Sequence, residues 1–232
     1  MKTLAPGSRD ALKRAAALAA VADVCDGMLV GIGTGTTAAF AIEALAQRTL
    51  EGLRITAVAT SIASAAMARS FGLRVLEFDG ISAIDIGIDG ADEIDIHLNA
   101  IKGAGGALLR EKIVAAAANR MIIIVDGTKQ VGQLGIAALP VEVLPFASSF
   151  VMRQIENLGA SVTRRMAGNE EYRTDQNNYI LDCHFGPIAE PPTLSAQLSS
   201  IPGLLGHGLF LTEVDLAYVA TTDGVRRIGA PE

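Results

Sequence analysis

The side chains able to do chemistry lie in a few short blocks, each beside glycine. Asp89-Gly90-Ala91-Asp92-Glu93-Ile94-Asp95 places four carboxylates within seven residues, directly after an apolar run. Carboxylates this close repel unless a proton, a cation or solvent intervenes. The block therefore reads as a cation loop or as a proton-handling site, in which a partly desolvated acid beside a like charge titrates nearer neutrality. Its spacing does not fit a calcium loop, and Glu93 and Asp95 read as structural or exposed. A second block runs Ile101-Lys102-Gly103-Ala104-Gly105-Gly106 and leads into Ala107-Leu108-Leu109-Arg110-Glu111-Lys112. Lys102 beside exposed backbone amides makes a local positive site for an oxyanion. Glu111 falls about one turn into the following helix, where its side chain can lean back toward the loop. On its own it also reads as an acid near a positive helix end.

Two further blocks could hold an anion. Gly31-Ile32-Gly33-Thr34-Gly35-Thr36-Thr37 ends a short strand and opens a helix. Glycine lets the backbone approach a ligand, the helix start offers free N–H groups, and three threonines add hydroxyls. The block has neither dinucleotide-loop spacing nor the lysine of a P-loop. Asp126-Gly127-Thr128-Lys129 places another lysine after an apolar strand. His97, His184 and His207 are scattered without ligand spacing, and nothing suggests a nucleophilic triad.

Alternating helices and strands must position these blocks. The pattern predicts helices over 9–24 (capped by Ser8), 36–47, 61–71 and 107–118, with strands over 28–32, 53–59, 73–78, 84–88 and 121–125. Continuously apolar strands such as Met121–Val125 point to a mostly parallel sheet covered by helices. After about Leu134 the order becomes strand 141–144, helix 148–158, strand 161–165, a polar turn over 168–178, strand 179–184, helix 192–200 and strand 204–211. This β-α-β-β-α-β order fits a small ferredoxin-like unit, and the apolar tail 215–220 is expected to rejoin the large sheet. The expected division is residues 1–134 with 206–232 as a Rossmann-like catalytic domain, and 135–205 as an insertion.

Composition narrows the function. The 232 residues are 50% hydrophobic, 19% charged and 4% aromatic, with a formal net charge of −6, so a folded core is expected and a phosphate-neutralising nucleic-acid surface is not. Cys25 and Cys183 give neither a disulfide framework nor zinc spacing. Asp10 and Asp23 argue against reading Ala15–Val24 as a signal peptide, and no apolar run approaches the roughly 20 residues of a membrane span. A cytoplasmic protein is expected.

Taken together, GIGTGTTA (31–38), DGADEID (89–95), KGAGGALLREKIVA (102–115) and DGTKQV (126–131) resemble the A-type ribose-5-phosphate isomerases. LPVEVLPFA (139–147) and IPGLLGHGLF (201–210) also match, in the family's order and over nearly the whole chain. The resemblance implies a Rossmann-like domain with an inserted ferredoxin-like domain. It also implies an aldose–ketose isomerase of ribose 5-phosphate and ribulose 5-phosphate that needs no metal and no cofactor, and works as a homodimer or homotetramer. By position it implies that Glu111 is the general base between C1 and C2. Asp89 and Asp92 then act at the sugar hydroxyls and in ring opening, and Lys102 stabilises oxyanion character. The implied substrate site adds Thr34, Gly35, Thr36, Thr37, Gly90, Ala91, Gly103, Ala104, Gly105 and Lys129, and Lys13 matches a family lysine near the phosphate. The chain departs from the pattern at Ala104 (usually Gly), at Leu109 (commonly Thr), and at Ser61-Ile62-Ala63-Ser64, a loose version of a Thr-Ser-x-x-Thr segment that stays outside the expected site. The competing class is a sugar-phosphate sensor, or a related deaminase or CoA transferase. No DNA-binding helix-turn-helix is read ahead of the fold, and the presence of Glu111 favours the isomerase.

Overall fold

The computed structural model describes residue 5 and residues 7–229. Along the first half run α1 (Arg9–Ala22), β1 (Leu29–Ile32), α2 (Thr36–Leu50), β2 (Thr56–Ala59), α3 (Ile62–Ser70), β3 (Val75–Leu76), β4 (Ile86–Asp89), β5 (Glu93–Ile94), β6 (Ala100–Ile101), α4 (Leu108–Ala117) and β7 (Met121–Asp126). Next come β8 (Leu139–Val143), α5 (Ser148–Asn157), β9 (Ser161–Arg164), β10 (Met166–Ala167), β11 (Glu170–Glu171), β12 (Tyr179–His184), α6 (Pro191–Ser199) and β13 (Leu204–His207). The chain closes with β14 (Leu209–Phe210), β15 (Leu216–Thr221) and β16 (Gly224–Gly229).

Seven strands form the large sheet in the order β16-β15-β7-β4-β1-β2-β3, parallel except for the β15–β16 hairpin at one edge. Every residue of β7 is buried, as its uninterrupted apolar run requires. On one face α1 packs through Ala16, Ala17, Ala20 and Val21, small side chains that bring it close to the sheet. Ser8 caps that helix by accepting from Ala11 N at 3.3 Å, as expected. Because β1, β2, β4 and β7 are parallel, their carboxyl ends share one edge of the sheet. The Gly31–Thr37, Thr60-Ser61, Asp89–Asp92 and Asp126–Lys129 segments all leave from that edge, where open α/β sheets place their ligands.

A second, four-stranded antiparallel sheet has the order β13-β8-β12-β9, the ferredoxin-like arrangement, with α5 and α6 packed on it. Three expectations change in detail. The run 204–211 is two strands in two sheets: β13 pairs β8, whereas β14 pairs β6. The break falls at Gly208, where a Cβ would lie 2.2 Å from the Lys102 carbonyl oxygen, so only glycine lets the two chains touch. The polar turn 168–178 contains the β10–β11 hairpin. The strand expected over 73–78 shortens to Val75–Leu76.

Gly31, inside β1, sets how closely α4 approaches the sheet. A Cβ there would lie 2.6 Å from both Ile84 Cδ1 and Val114 Cγ1. Ile84 can swing its tip away, but Val114 is β-branched on a helix and has little rotamer choice. Gly31→Ala should therefore destabilise the fold by about 1–3 kcal/mol, outweighing the smaller entropic gain of losing a glycine. Denaturant unfolding checks this; an unchanged midpoint would show that α4 shifts freely.

Candidate active site

The acidic block does not stay a block. Each carboxylate takes a different partner, which removes the repulsion expected of the sequence. Asp92 Oδ2 accepts from Ala104 N at 2.9 Å. Glu93 is buried and holds the 131–137 loop by accepting from Gly135 N at 2.7 Å and from Ala137 N. Asp95 closes its own turn through His97 N and Asn99 N at 2.8 and 2.9 Å. Glu93 and Asp95 are thus structural, as expected, and buried rather than exposed.

Asp89 turns inward at the end of β4. Its Oδ2 accepts from Lys102 Nζ at 2.7 Å, and its Oδ1 accepts from Gly90 N at 2.7 Å and Thr34 N at 3.1 Å. A Cβ on Gly33 would lie 1.9 Å from that Oδ1, so glycine is what lets the carboxylate reach the loop. Lys102 Nζ also donates to Gly90 O at 2.6 Å and lies 3.2 Å from Glu111 Oε2. That contact is outside hydrogen-bond geometry, leaving Glu111 Oε2 buried with no hydrogen-bond partner among the described residues. Glu111 comes from the first turn of α4 and leans back toward the loop, as its position predicts. All three side chains are buried.

The electrostatics follow from this geometry. Two carboxylates and one ammonium in a dry site leave one excess negative charge, so a proton is favoured. Burial pushes the Glu111 carboxyl up to about 8, against the opposing field of Lys102. Burial pushes Asp89 the same way, again against Lys102. For Lys102, burial works against the ammonium, but Asp89 and Glu111 outweigh it and hold the group above the usual lysine value. Asp89 has three donors and Glu111 Oε2 has none, so Glu111 is the natural home of the shared proton.

Of the other expected residues, Thr34 and Gly90 contact Asp89 or Lys102 directly, and the rest lie in the neighbouring loops. Thr34 donates its hydroxyl to Ser61 Oγ at 2.8 Å, Ser61 donates to Ser64 Oγ at 3.0 Å, and Ser64 donates to Gly33 O at 2.8 Å. Gly35 takes φ +105° at the start of α2, and the hydroxyl of Thr36 accepts from Lys13 Nζ at 2.9 Å. Thr37 lies against Gly90, and Ala91 packs into the core beneath. Gly105 faces Thr34, whose Cγ2 lies 3.6 Å from where a Cβ would sit, while Gly103 takes φ +107° beside the exposed Ala104. Lys129 sits in a short 3-10 turn after β7 and has no hydrogen bond or ion pair to the trio. Among the described residues no cluster of three or more His, Cys, Asp or Glu side chains is placed to hold a metal ion.

Comparison with known proteins identifies the family. Residues 56–224 match the family model described as ribose 5-phosphate isomerase A (phosphoriboisomerase A). The chain belongs to the ribose-5-phosphate isomerase A family. A curated relative from Sphingopyxis alaskensis is 53% identical over 92% of this chain and 93% of its own length. One from a Synechococcus strain is 48% identical over 95% and 98%. The solved isomerase A from Methanocaldococcus jannaschii superposes with a TM-score of 0.91, at 35% identity, over 96% of this chain and 100% of that one. A D-ribose-5-phosphate isomerase in complex with phospho-erythronic acid superposes at 0.93 with 33% identity, over 96% of this chain and 100% of that one.

Sequence reasoning left several neighbours of the site out. Ser61 and Ser64 depart from the family pattern, yet their hydroxyls hold Thr34. Phe210 was not singled out, although its ring centroid lies 5.4 Å from Lys102 Nζ and 4.0 Å from Lys112 Nζ. Arg165, just after β9, and Tyr172, just after the β10–β11 hairpin, touch the Lys102–Gly106 loop. No local signal marks them, because their role exists only in the tertiary contact.

Because burial lifts the Glu111 carboxyl to about 8, pH is the direct probe of this site. In ribose 5-phosphate isomerisation, kcat/KM should rise with pH along one limb with an apparent pKa of about 8 in the free enzyme. Glu111→Gln should remove that limb and cut kcat by about 10²–10⁴-fold. The folded value lies above the ordinary 4.5, so the folded chain binds more protons across this window. Glu111's contribution to stability is full below 4.5 and is lost as pH rises through about 8. Thermal unfolding should therefore show the wild type losing ground to Glu111→Gln as pH rises. A flat pH–rate profile, or a variant with more than half the wild-type rate, would exclude Glu111 as the base.

Proposed function

We propose that Glu111 carries the proton between C1 and C2 in the interconversion of ribose 5-phosphate and ribulose 5-phosphate. The chain is an aldose–ketose isomerase. The observation that carries the site assignment is the buried Glu111 oxygen without a hydrogen-bond partner, beside Lys102, at the ligand-binding edge of the sheet.

The furanose ring opens first: the C1–O4 bond breaks as the O1 hydroxyl becomes the C1 carbonyl, and Asp89 and Asp92 at the hydroxyls are suited to move the proton from O1 to O4. Glu111 then removes the C2 proton of the open aldose. The C–H electron pair forms the C1–C2 double bond, and the carbonyl pair moves onto O1. Glu111 returns its proton to C1 while the O2 proton is passed on toward O1, so the product is the ketose with nothing gained or lost. The charge on the enediolate oxygen needs a fixed cation or N–H groups, and Lys102 with the amide of exposed Gly105 is suited to supply both. As Glu111 takes the proton, its claim on Lys102 weakens and one ammonium hydrogen becomes available to that oxygen. The Thr34–Thr37 loop, the N-terminus of α2 and Lys13 are suited to the phosphate. Lys129 completes the substrate set by its place after β7. Lys102 already occupies the space between Asp89 and Glu111 where a cation would sit, which supports a reaction without metal.

The finer organisation is inferred in the same way. The chain divides into a catalytic domain and an insertion beginning near residue 135, with the return at Gly208, because β13 continues to His207. The separate apolar cores of the two sheets support this. Exposed Phe146 and Phe150 support a homodimer or homotetramer. No helix among the described residues is long and apolar enough to cross a membrane, and a charged sugar phosphate does not cross one unaided, so the cytoplasm is the proposed site of action.

Incubating the protein with ribose 5-phosphate in EDTA and following ketose formation tests the function, and full activity is expected. Silence in the chelator with recovery on adding magnesium or manganese would overturn the metal-free reading. Lys102→Met should lower kcat by about 10²–10³-fold. A rise in KM alone would mean that Lys102 binds the ground state only.

A further inference from the structure

We infer that Arg165 is a positioning residue for catalysis, an arm from the four-stranded sheet that decides which edge of the Lys102–Gly106 loop faces the cleft. This rests on the isomerase reading above. Arg165 follows β9 directly, and its side chain is largely buried. Its Nη1 donates to Gly103 O at 3.1 Å and to Ala104 O at 3.0 Å. The other side of the guanidinium grips Asp182 on β12, Nε donating to Oδ2 at 2.9 Å and Nη2 to Oδ1. One planar group thus ties two consecutive loop carbonyls to a fixed carboxylate in the neighbouring sheet.

The loop needs such a hold. Gly103 and Gly106 both have positive φ, and glycine-rich backbone has many alternatives of similar energy. A flipped peptide would turn a carbonyl dipole toward the place where the enediolate charge develops. With both carbonyls held to the rear by Arg165, the opposite edge of the loop is presented forward. Ala104 N, fixed on Asp92, is one anchor at that edge, and Ala104 and Gly105 are exposed there. The back wall is continuous: Tyr172 lies against Gly106, where a Cβ would come within 2.1 Å of its hydroxyl oxygen, and Pro140 backs Gly103. Asp182 neutralises Arg165, so the arm sets orientation without becoming a second cation beside Lys102. Lysine cannot replace it, because a single ammonium lacks the fork that spans both carbonyls and the carboxylate.

The test uses the full chain and three variants, Arg165→Met, Arg165→Lys and Asp182→Asn. A small misplacement of catalytic groups costs up to about 10²-fold, so Arg165→Met should lower kcat by about 10–100-fold with the KM for ribose 5-phosphate little changed. Inhibition by phospho-erythronic acid, whose carboxylate imitates the enediolate oxygens, should weaken by a similar factor. Inhibition by inorganic phosphate should not change. Arg165→Lys should not rescue, and Asp182→Asn should give a smaller loss of the same kind. If Arg165→Met does not fold, the other two variants carry the test. The inference is overturned if kcat stays within about twofold, if lysine restores the rate, if phosphate and phospho-erythronic acid weaken equally, or if the loss equals the unfolded fraction seen by thermal unfolding. A wild-type protein inactive on ribose 5-phosphate would instead sink the isomerase reading, which is a separate result.

Discussion

Burying Lys102 between two carboxylates is the constraint on which the rest of the structure depends. Taking three ionisable groups out of water costs several kcal/mol per ion before their mutual attraction is counted. The arrangement persists because every element round it contributes a partner or a space. Gly33 yields the space for Asp89, Thr34 and Gly90 donate amides to it, and Gly90 offers its carbonyl to Lys102. Lys102 N in turn donates to Gly208 O at 2.9 Å, so the backbone that carries the ammonium is itself pinned. The polar satisfaction stops at Glu111 Oε2. That oxygen, beside the Lys102 ammonium at 3.2 Å, is the one suited to the proton transfer proposed above.

The fold solves a separate problem, bringing loops distant in sequence to one place. Parallel strands put four of them on one edge, but a parallel sheet supports those loops only from below. The segment between β9 and β12, with its β10–β11 hairpin, supports them from the side. Arg165 and Tyr172 back the glycine loop, and Asp175 reaches Ile62 N at 2.7 Å and Arg110 at 3.6 Å, tying the starts of α3 and α4 together. Behind that turn sits Glu142, fully buried, whose Oε1 accepts from Thr174 Oγ1 at 2.9 Å and Asn178 Nδ2 at 2.8 Å. The segment around the second sheet is therefore tied to the same loops as the large sheet.

Much of this was legible in the sequence where the physics is local. Continuous apolar strands, alanine-rich helices and the Ser8 cap gave the large sheet and its covering helices, and the spacing of Glu111 from the loop correctly placed its side chain. What was not legible is tertiary in origin. β5 and β6 have two residues each, too few to show a period. The apolar run 204–211 shows no break, because the break is caused by Lys102 approaching Gly208 from a hundred residues away. β16, GVRRIG, is largely exposed at a sheet edge and has no apolar face to announce it. Arg165 looks like any charged residue of a surface strand until Gly103 and Ala104 are laid against it. Ser61 and Ser64 were set aside for departing from a pattern, although a hydroxyl is all that Thr34 requires of them.

The same balance explains why stability and turnover pull in opposite directions here. A neutral, apolar trio of similar volume at positions 89, 102 and 111 would cost no desolvation, and such replacements of buried ion pairs are often stabilising. Yet the energy lost to burial is what lifts the Glu111 carboxyl to about 8, the range that the proposed proton transfer calls for, and what makes the Lys102 charge strong where it is buried. Hydrating the pocket would relax both groups toward their ordinary values and lose both effects. A rigid frame of glycine contacts and cross-sheet anchors is the physical means of keeping that pocket dry and its charges fixed, so the stabilising interactions lie around the trio and not within it.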